Sequence, residues 1–273
     1  MISQRERAAN YGILVVFSAL ALLPVVGIVL VALHGPGESI SGFSLPHRPS
    51  LQNFRTAWDQ GRFSTYLRSS AIVSVSVVTI ATVVSIMAGY AFGTMRFRGS
   101  RALFYVLLLG IMVPEEAIIV PLYYDLRNAG LTDTYWALIL PQAAQSVAFG
   151  TFWMRAYFRS TPRSLVEAAR IDGASSWTAL WRILVPGGRP AILTMMVLVF
   201  MWTWNEFLLP LVMVTNESLR TAPLGLAFFQ GQHTSQFSLL AAGAVIVALP
   251  VVVLYVFLQR HFIQGMLTGS VKG

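Results

Sequence analysis

Residues 160–186 read STPRSLVEAARIDGASSWTALWRILVP, a polar and charged stretch between two long apolar segments. Thr161 and Pro162 form a helix-start signal, because a hydroxyl can cap a helix and proline loses no hydrogen bond at the first helical position. Gly173 predicts the end of that helix, since glycine adopts the left-handed conformation at low cost. The first half of the stretch therefore predicts a short helix closed by a glycine turn.

A second short helix is predicted after the glycine. The hydroxyl of Ser175 is expected to cap it, and Pro186 is expected to end it. Two short helices joined by a turn suit a contact in which a helix lies in the groove of a partner protein. The alternative is an amphipathic helix that rests on the lipid surface. The pattern alone leaves both interpretations open.

The composition is that of a membrane protein. Hydrophobic residues make up 56% of the chain, charged residues 11%, and the mean hydropathy is +0.66, which differs clearly from an ordinary soluble domain. The chain has no cysteine, which excludes disulfides, thiolate metal sites and cysteine nucleophiles. The net charge of +8 does not indicate nucleic-acid binding, because the basic residues stand between apolar runs and form no single patch.

Six apolar runs are long enough to cross a bilayer, for which about 20 residues suffice. Their predicted bounds are 11–33, 69–95, 102–124, 134–154, 190–214 and 237–258. A signal peptide is the alternative for the first run, but its 23 residues exceed the usual apolar core of such a peptide. The predicted fold class is an all-α membrane protein. One transmembrane domain covers residues 1–273, with six transmembrane helices, a cytoplasmic helix-turn-helix loop at 160–186 and a cytoplasmic tail at 260–273.

The distribution of basic residues predicts the orientation. The amino terminus, the turn at 96–101, the region 155–189 and the tail fall on one side and hold 13 of the 19 basic residues. With three acidic residues, this side has a net charge of +10, against −2 on the other side. Because basic loops stay in the cytoplasm, both termini are predicted to be cytoplasmic. The predicted location is the plasma (inner) membrane of a prokaryote, crossed several times.

Enzyme motifs are not found in this sequence. The only lysine, Lys272, is followed by Gly273, so the lysine and hydroxyl residue pair of a P-loop ATPase is missing. The four histidines, His34 among them, fall in loops or in the tail, where we expect them to be solvated, and they form no HExxH pair. We therefore predict no catalytic, cofactor-binding or metal-binding residues in this chain.

Two predicted spans contain carboxylates. Glu115 and Glu116 lie in the third span, and Glu206 follows Trp204 and Asn205 in the fifth. A charged side chain at the bilayer centre costs about 2.5–3.5 kcal/mol on the insertion scale and normally faces a cavity or a partner. These five residues are candidates for a substrate pathway. The alternatives are that the carboxylates lie at the outer membrane interface, where headgroups and water solvate them, or that they form a proton relay.

The central stretch resembles a known motif. Glu167-Ala168-Ala169, then Gly173, Ile183 and Val185-Pro186 at fixed offsets, resemble the cytoplasmic EAA loop of binding-protein-dependent ABC importer permeases. Val185 replaces the leucine that is usual before the proline. The likeness runs from about Leu51 to the end of the chain.

Further motifs resemble the carbohydrate branch of that family, in particular the smaller permease subunit of maltose-type importers. They are Trp204-Asn205-Glu206-Phe207 with Pro210 in the fifth span, Pro114-Glu115 and Pro121-Leu122 in the third, Gly130-Leu131-Thr132-Asp133-Thr134 in a loop, and Gln259-Arg260, Phe262, Gly265 and Gly269-Ser270-Val271-Lys272-Gly273 at the carboxyl terminus.

The resemblance implies a non-catalytic permease subunit of an ATP-driven importer for a sugar or sugar-like solute. Its loop would dock on a separate ATPase through Glu167, Ala168, Ala169, Asp172, Gly173, Ile183 and Pro186. The carboxyl-terminal residues Gly269, Ser270, Lys272 and Gly273 would also contact the ATPase. The implied partners are a second, similar permease, two copies of the ATPase with its ATP and Mg²⁺, an extracytoplasmic solute-binding protein and the lipid bilayer. The competing hypothesis is an ion-coupled secondary transporter that uses the span carboxylates.

Overall fold

The computed structural model describes residues 4–35, 38, 44–229 and 237–270, and this part of the chain is helical and contains no strand. The helices are α1 (Gln4–Ala32), α2 (Gln52–Gln60), α3 (Phe63–Thr94), α4 (Ser100–Met112), α5 (Glu115–Asn128), α6 (Tyr135–Ser160), α7 (Arg163–Ile171), α8 (Ser176–Ala179), α9 (Val185–Gly187), α10 (Arg189–Asn205), α11 (Leu208–Met213), α12 (Ala222–Gly225) and α13 (Phe237–Ser270). A π-helical turn at Leu180–Leu184 joins α8 to α9. The predicted all-α class is confirmed.

Three of these helices are long and apolar enough to cross a membrane. They are α1, α3 and the part of α13 at Phe237–Gln259, and they coincide with the first, second and sixth predicted spans. The number rises to five if each of two bent helix pairs counts as one span. Helix α6, at the fourth predicted span, has 26 residues and is about 39 Å long at about 1.5 Å per residue. It is less apolar than the other three because it carries two glutamines and two arginines, namely Gln142, Gln145, Arg155 and Arg159.

The third predicted span is bent sharply at Pro114. Helices α4 and α5 meet there at 99°, so the run at 102–124 is not one straight helix. The cause is local, because a proline forces the residue before it out of the α-helical region, and Val113 has φ −77° and ψ 119°. Pro121 lies inside α5 without ending it.

The fifth predicted span is interrupted at Glu206. Helix α10 ends at Asn205, and Glu206 has the extended dihedrals φ −63° and ψ 125°. The Glu206 carboxylate then accepts the N–H of Leu209 at 3.0 Å in the first turn of α11. A carboxylate is favourable at this end of a helix because the first N–H groups have no partner within the helix.

The chain divides into two compact units. The first unit is drawn from Met1–Ser64 and Gly225–Pro250. Within it His34 is only 2% exposed, and its Nδ1 bonds the carbonyl of Leu30 at 2.8 Å. The Asn53 amide donates to the carbonyls of Ala32 and His34. The expectation that His34 is solvated is therefore wrong, because the ring bonds Leu30 and the Ser44 hydroxyl and is buried.

The second unit is drawn from Thr65–Leu224 and Val251–Gly273 and contains a large cluster of buried apolar residues. Helices α3 and α6 approach closely within it at glycines. A Cβ added to Gly89 would lie 2.5 Å from the Cβ of Met154, and one on Gly93 would lie 3.0 Å from the Cβ of Phe158. Small residues allow two helix backbones to pack at short distance in a membrane. This contact fixes α6, which leads directly into residues 160–186.

A carboxylate joins two loops of the second unit. Asp133, which adopts φ +57°, accepts the backbone N–H groups of Thr215 and Asn216 and the hydroxyl of Thr215. These hydrogen bonds, with the Thr215 hydroxyl first, hold the pKa of the Asp133 carboxyl below its ordinary value. The loop before α6 is thereby tied to the loop after α11.

Candidate functional site: the exposed loop and the acidic cavity

The glycine turn in the central stretch is formed as predicted. Gly173 has φ +77°, a conformation that favours glycine. The N–H of Gly173 bonds the carbonyl of Arg170, and the N–H of Ala174 bonds the carbonyl of Ala169. This pair of hydrogen bonds is the Schellman motif, which satisfies the last carbonyls of a helix. Helix α7 therefore ends in a defined turn, and the prediction for Gly173 is confirmed.

The predicted start of α7 is wrong by one position. Thr161 caps the end of α6, because its hydroxyl donates to the carbonyl of Tyr157 at 3.1 Å. Pro162 then occupies the N-cap of α7 and has no side-chain acceptor, and the helix begins at Arg163. The reason is that α6 runs to Ser160, so Thr161 is used as its C-cap and Pro162 is left as the N-cap of α7.

The second half of the stretch begins as predicted and ends later. The Ser175 hydroxyl accepts the N–H of Thr178 at 3.2 Å and caps α8, which confirms that prediction. Pro186 does not end the helical segment, which continues to Gly187. In the π-helical turn the N–H of Val185 bonds the carbonyl of Leu180, five residues earlier. A wider turn of this kind is a recognised way for a helix to accommodate an irregularity such as proline.

The second half of the loop is anchored to α6 and α10. The Tyr157 hydroxyl donates to the carbonyl of Leu184 at 3.1 Å, and a Cβ on Gly188 would lie 2.7 Å from the Tyr157 ring. Trp153 donates its indole N–H to the carbonyl of Ala191 at 2.9 Å, which joins α6 to α10. Sequence reasoning did not identify Tyr157 or Trp153. Their aromatic rings, one helical turn apart on α6, are the signal that could have identified them.

The predicted docking residues divide into an exposed and a buried set. Glu167, Ala168, Asp172, Gly173 and Pro186 are exposed and Ile183 is half-buried. Ala169 is only 4% exposed and lies on the side of α7 that also packs Val166 against the core. The expectation that Ala168 and Ala169 both offer close contact to a partner is therefore wrong for Ala169. The helical period places the two neighbouring alanines on different faces.

The loop exposes large apolar side chains. Ile171 is 87% exposed, Trp177 59% and Leu165 45%. Leu165, Ala168 and Ile171 follow one another at intervals of three residues, so they form one exposed strip along α7. Exposed apolar surface next to charged residues such as Glu167 is typical of a protein contact.

The second proposed contact with the ATPase lies at the carboxyl terminus. Gly269 and Ser270 belong to the last turn of α13. Lys272 and Gly273 lie outside the described residues.

A cavity of about 520 Å³ lies in the second unit between α4, α5, α6 and α10. Three of the five predicted pathway residues line it, namely Glu115, Asn205 and Glu206. Trp204 instead is buried and stacks on Phe200, with ring centroids 5.3 Å apart. Glu116 is exposed and does not line the cavity. Sequence reasoning thus found both carboxylates of the cavity, although they stand 91 positions apart in the chain.

The remaining polar wall of the cavity was missed. It consists of Gln142, Gln145 and Ser146 from α6 and Thr203 from α10. The first three stand at intervals of three and four residues in an apolar span, so they share one face of the helix. Polar residues at helical spacing within a predicted span are the signal that could have found them. No cluster of potential metal ligands occurs in the part of the chain that was described.

Comparisons with known proteins show the family and the fold of the chain. The family model described as "Binding-protein-dependent transport system inner membrane component" matches residues 81–268. A chain from a crystal structure of a bacterial ABC transporter, described as involved in the import of the acidic polysaccharide alginate, has a TM-score of 0.82. The match covers 96% of this chain and 99% of that chain at 23% identity, so it shows the fold alone.

Curated relatives cover nearly the whole chain. The diacetylchitobiose uptake system permease protein NgcG of Streptomyces coelicolor is 30% identical over 98% of this chain and 90% of its own length. The trehalose transport system permease protein SugB of Mycobacterium tuberculosis is 34% identical over 93% of each. These relatives favour the importer permease over the ion-coupled secondary transporter. The chain is a multi-pass membrane protein that belongs to the family of inner membrane components of binding-protein-dependent ABC transport systems.

Proposed function

We propose that this chain forms half of the translocation pathway of an ATP-driven importer for a sugar or sugar-like solute. It pairs with a second, similar permease, with two copies of an ATPase and with an extracytoplasmic solute-binding protein. ATP and Mg²⁺ bind to the ATPase copies and not to this chain. The relatives named for diacetylchitobiose uptake and trehalose transport support the sugar class.

The exposed strip of α7 is the observation that carries the proposal. Leu165, Ala168 and Ile171 present apolar surface that no part of the described chain covers, and Glu167 adds a charge beside it. Burying apolar surface is worth about 25 cal/mol per Å², so an uncovered strip favours a permanent protein partner. A partner that hydrolyses ATP needs a stiff lever, and a short helix closed by a Schellman turn provides one.

The arginine distribution supports the orientation of this loop. Thirteen of the 19 basic residues fall on the side of the chain that carries residues 155–189, and basic segments stay in the cytoplasm. We place this side, both termini and the carboxyl-terminal contact residues Gly269, Ser270, Lys272 and Gly273 in the cytoplasm. The chain then lies in the inner membrane with its loop facing the ATPase.

The cavity supports a role in the pathway. Its volume of about 520 Å³ lies within the range of about 300–1,000 Å³ that is usual for sites of small ligands. Two carboxylates, several neutral polar groups and aromatic rings share its wall. Hydroxyl-rich solutes require hydrogen-bonding groups and apolar surface together. Glu115, Asn205 and Glu206 are therefore assigned to the pathway.

Ala168→Trp tests the docking of the loop. Ala168 is exposed, so tryptophan leaves the fold of this chain intact but separates the strip from a closely packed partner. We expect the purified complex to lose the ATPase while it keeps the second permease. The matched control is Ala129→Trp, also at an exposed alanine, which follows α5 on the opposite predicted side and should keep the ATPase.

Uptake in proteoliposomes separates the two transport mechanisms. We expect entry of a neutral disaccharide such as trehalose, delivered by the binding protein, to require hydrolysable ATP and to persist after a proton ionophore is added. Uptake that stops with the ionophore and proceeds without ATP contradicts the proposal. If the Ala168→Trp variant retains the ATPase normally, the proposal that the exposed strip of α7 docks on the ATPase is wrong.

A further inference from the structure

The wall of the cavity is rich in hydrogen-bond acceptors. Glu115 enters it from the first turn of α5, and Glu206 enters it from the break between α10 and α11. None of its twelve lining residues, all from the described chain, is lysine or arginine. No cationic side chain on the wall offsets the two carboxylates, so each ionised carboxylate contributes a negative potential to the cavity.

Gln142 adds an acceptor that has no partner. The residue is 7% exposed and lines the cavity. Its Nε2 donates to the carbonyl of Leu138 at 2.8 Å, and because a carbonyl can only accept, this bond fixes the orientation of the amide. Its Oε1 is buried and has no hydrogen-bond donor within the described residues. A buried acceptor without a donor is unfavourable, so the site favours a ligand that donates.

The amide of Asn205, one of three amides on the wall, is used in the same way. Asn205 donates its Nδ2 to the carbonyl of Met201 at 2.7 Å. The amides of Gln142 and Asn205 thus each direct an N–H group back into their own helix. A ligand in the cavity meets carboxylate oxygens and amide oxygens together with the rings of Phe149 and Trp202, which pack edge to face with centroids 4.7 Å apart. The face of an aromatic ring also attracts cations.

We propose that this cavity admits sugars that are uncharged or carry an ammonium group and rejects sugars that carry a carboxylate or a sulfate. The inference rests on the proposed function and adds the charge of the solute to it. Hydroxyl and ammonium groups donate to the oxygens of Gln142, Glu115 and Glu206. An anionic group lacks the protons for these bonds and is repelled by both carboxylates.

The chain contains no cysteine, so a single introduced thiol can probe the field in the cavity. Two separate variants each carry one thiol: Gln145→Cys has it at an exposed position of the wall on α6, and Asn205→Cys has it on α10. The purified permease complex is treated with a cationic (trimethylammonium-ethyl) or an anionic (sulfonatoethyl) methanethiosulfonate. The same thiolate reacts with both reagents, so any change in its pKa cancels in the ratio of the two rates.

We expect the ratio of cationic to anionic reaction rates to exceed that of free 2-mercaptoethanol by about tenfold or more, because the two carboxylates attract one reagent and repel the other. Adding Glu115→Gln and Glu206→Gln together should return the ratio to the free-thiol value. Ala129→Cys, outside the cavity, is the control and should show the free-thiol ratio throughout.

Three results overturn the inference. They are a free-thiol ratio at both cavity positions, a raised ratio that survives removal of both carboxylates, and the absence of any reaction at both positions, which would mean that solutes do not enter. The thiol reaction rates are measured without ATP, so they do not depend on the proposed ATP-driven transport. If the ratio stays at the free-thiol value while ATP-driven uptake is normal, the charge selection alone fails. Loss of ATP dependence with a raised ratio contradicts only the proposed function.

Discussion

Replacing Gly173 with valine tests whether the glycine turn transmits force from the loop. The left-handed conformation costs an ordinary residue about 1–2 kcal/mol, and a β-branched side chain more. Nothing lies within 4 Å of a Cβ added to Gly173, so the variant strains the backbone and creates no collision within this chain. A cost of this size lowers the ratio of formed to broken turns by a factor of about 5–30.

Two variants separate strain from size and from loss of stability. Gly173→Asn adds a side chain similar in size to that of valine, but asparagine tolerates the left-handed region. Gly130→Val imposes the same strain in a second Schellman turn, where Gly130 has φ +69° and the N–H of Leu131 bonds the carbonyl of Leu126. That turn lies after α5 on the opposite predicted side.

The measurements are copurification of the ATPase and the stimulation of ATP hydrolysis by loaded binding protein. We expect Gly173→Val to lower stimulation about tenfold, while Gly173→Asn and Gly130→Val keep at least half of it. Equal losses for valine and asparagine at Gly173 would refute the role of backbone strain. An equal loss for Gly130→Val would show that the effect is one of general stability.

Three further outcomes are expected. Tyr157→Phe removes the hydroxyl bond to the Leu184 carbonyl but keeps the ring, so stability should fall by about 1 kcal/mol and ATPase retention should weaken in a pull-down. Asp133 has a lowered pKa in the folded chain, so the stability it contributes is complete above the ordinary carboxyl pKa of about 3.9 and is lost as the pH falls through the lower folded pKa. Asp133→Asn should therefore lower the midpoint of thermal unfolding at pH 7. It should also make that midpoint depend less on pH in the acid range. In intact cells an impermeant thiol reagent should label Ala129→Cys and not Ser164→Cys, and the reverse pattern contradicts the proposed orientation.

Features that depend on a few neighbouring residues could be predicted from the sequence. The turn at Gly173 and the cap at Ser175 each follow from the chemistry of one residue and its position in a helix, and the structure has both. The long helices α1, α3 and α13 follow from uninterrupted apolar runs. These apolar runs were sufficient to predict the all-α class of the fold.

Features that depend on packing could not be predicted in this way. Ala168 and Ala169 have the same side chain, and only the packing of α7 against the core decides that Ala169 is buried. The carboxylates Glu115 and Glu206 were each identified as unusual within a span. That they face one cavity follows from the bend at Pro114 and from the break after α10, and the sequence does not specify the angle of either.

Two helices connect the loop with the cavity. Helix α6 carries Gln142 in the cavity wall and Tyr157 beneath the loop, 15 residues or about 22 Å apart at about 1.5 Å per residue. Helix α10 begins directly after the loop, ends at Asn205 in the same wall, and is joined to α6 by the indole of Trp153. A displacement of the loop therefore moves two packed helices rather than a flexible segment. Converting a gate from 1:99 to 99:1 requires about 5.5 kcal/mol of differential interaction. Because the chain has no ATPase motif, we expect that energy to enter through the loop and to be expressed where these helices line the cavity.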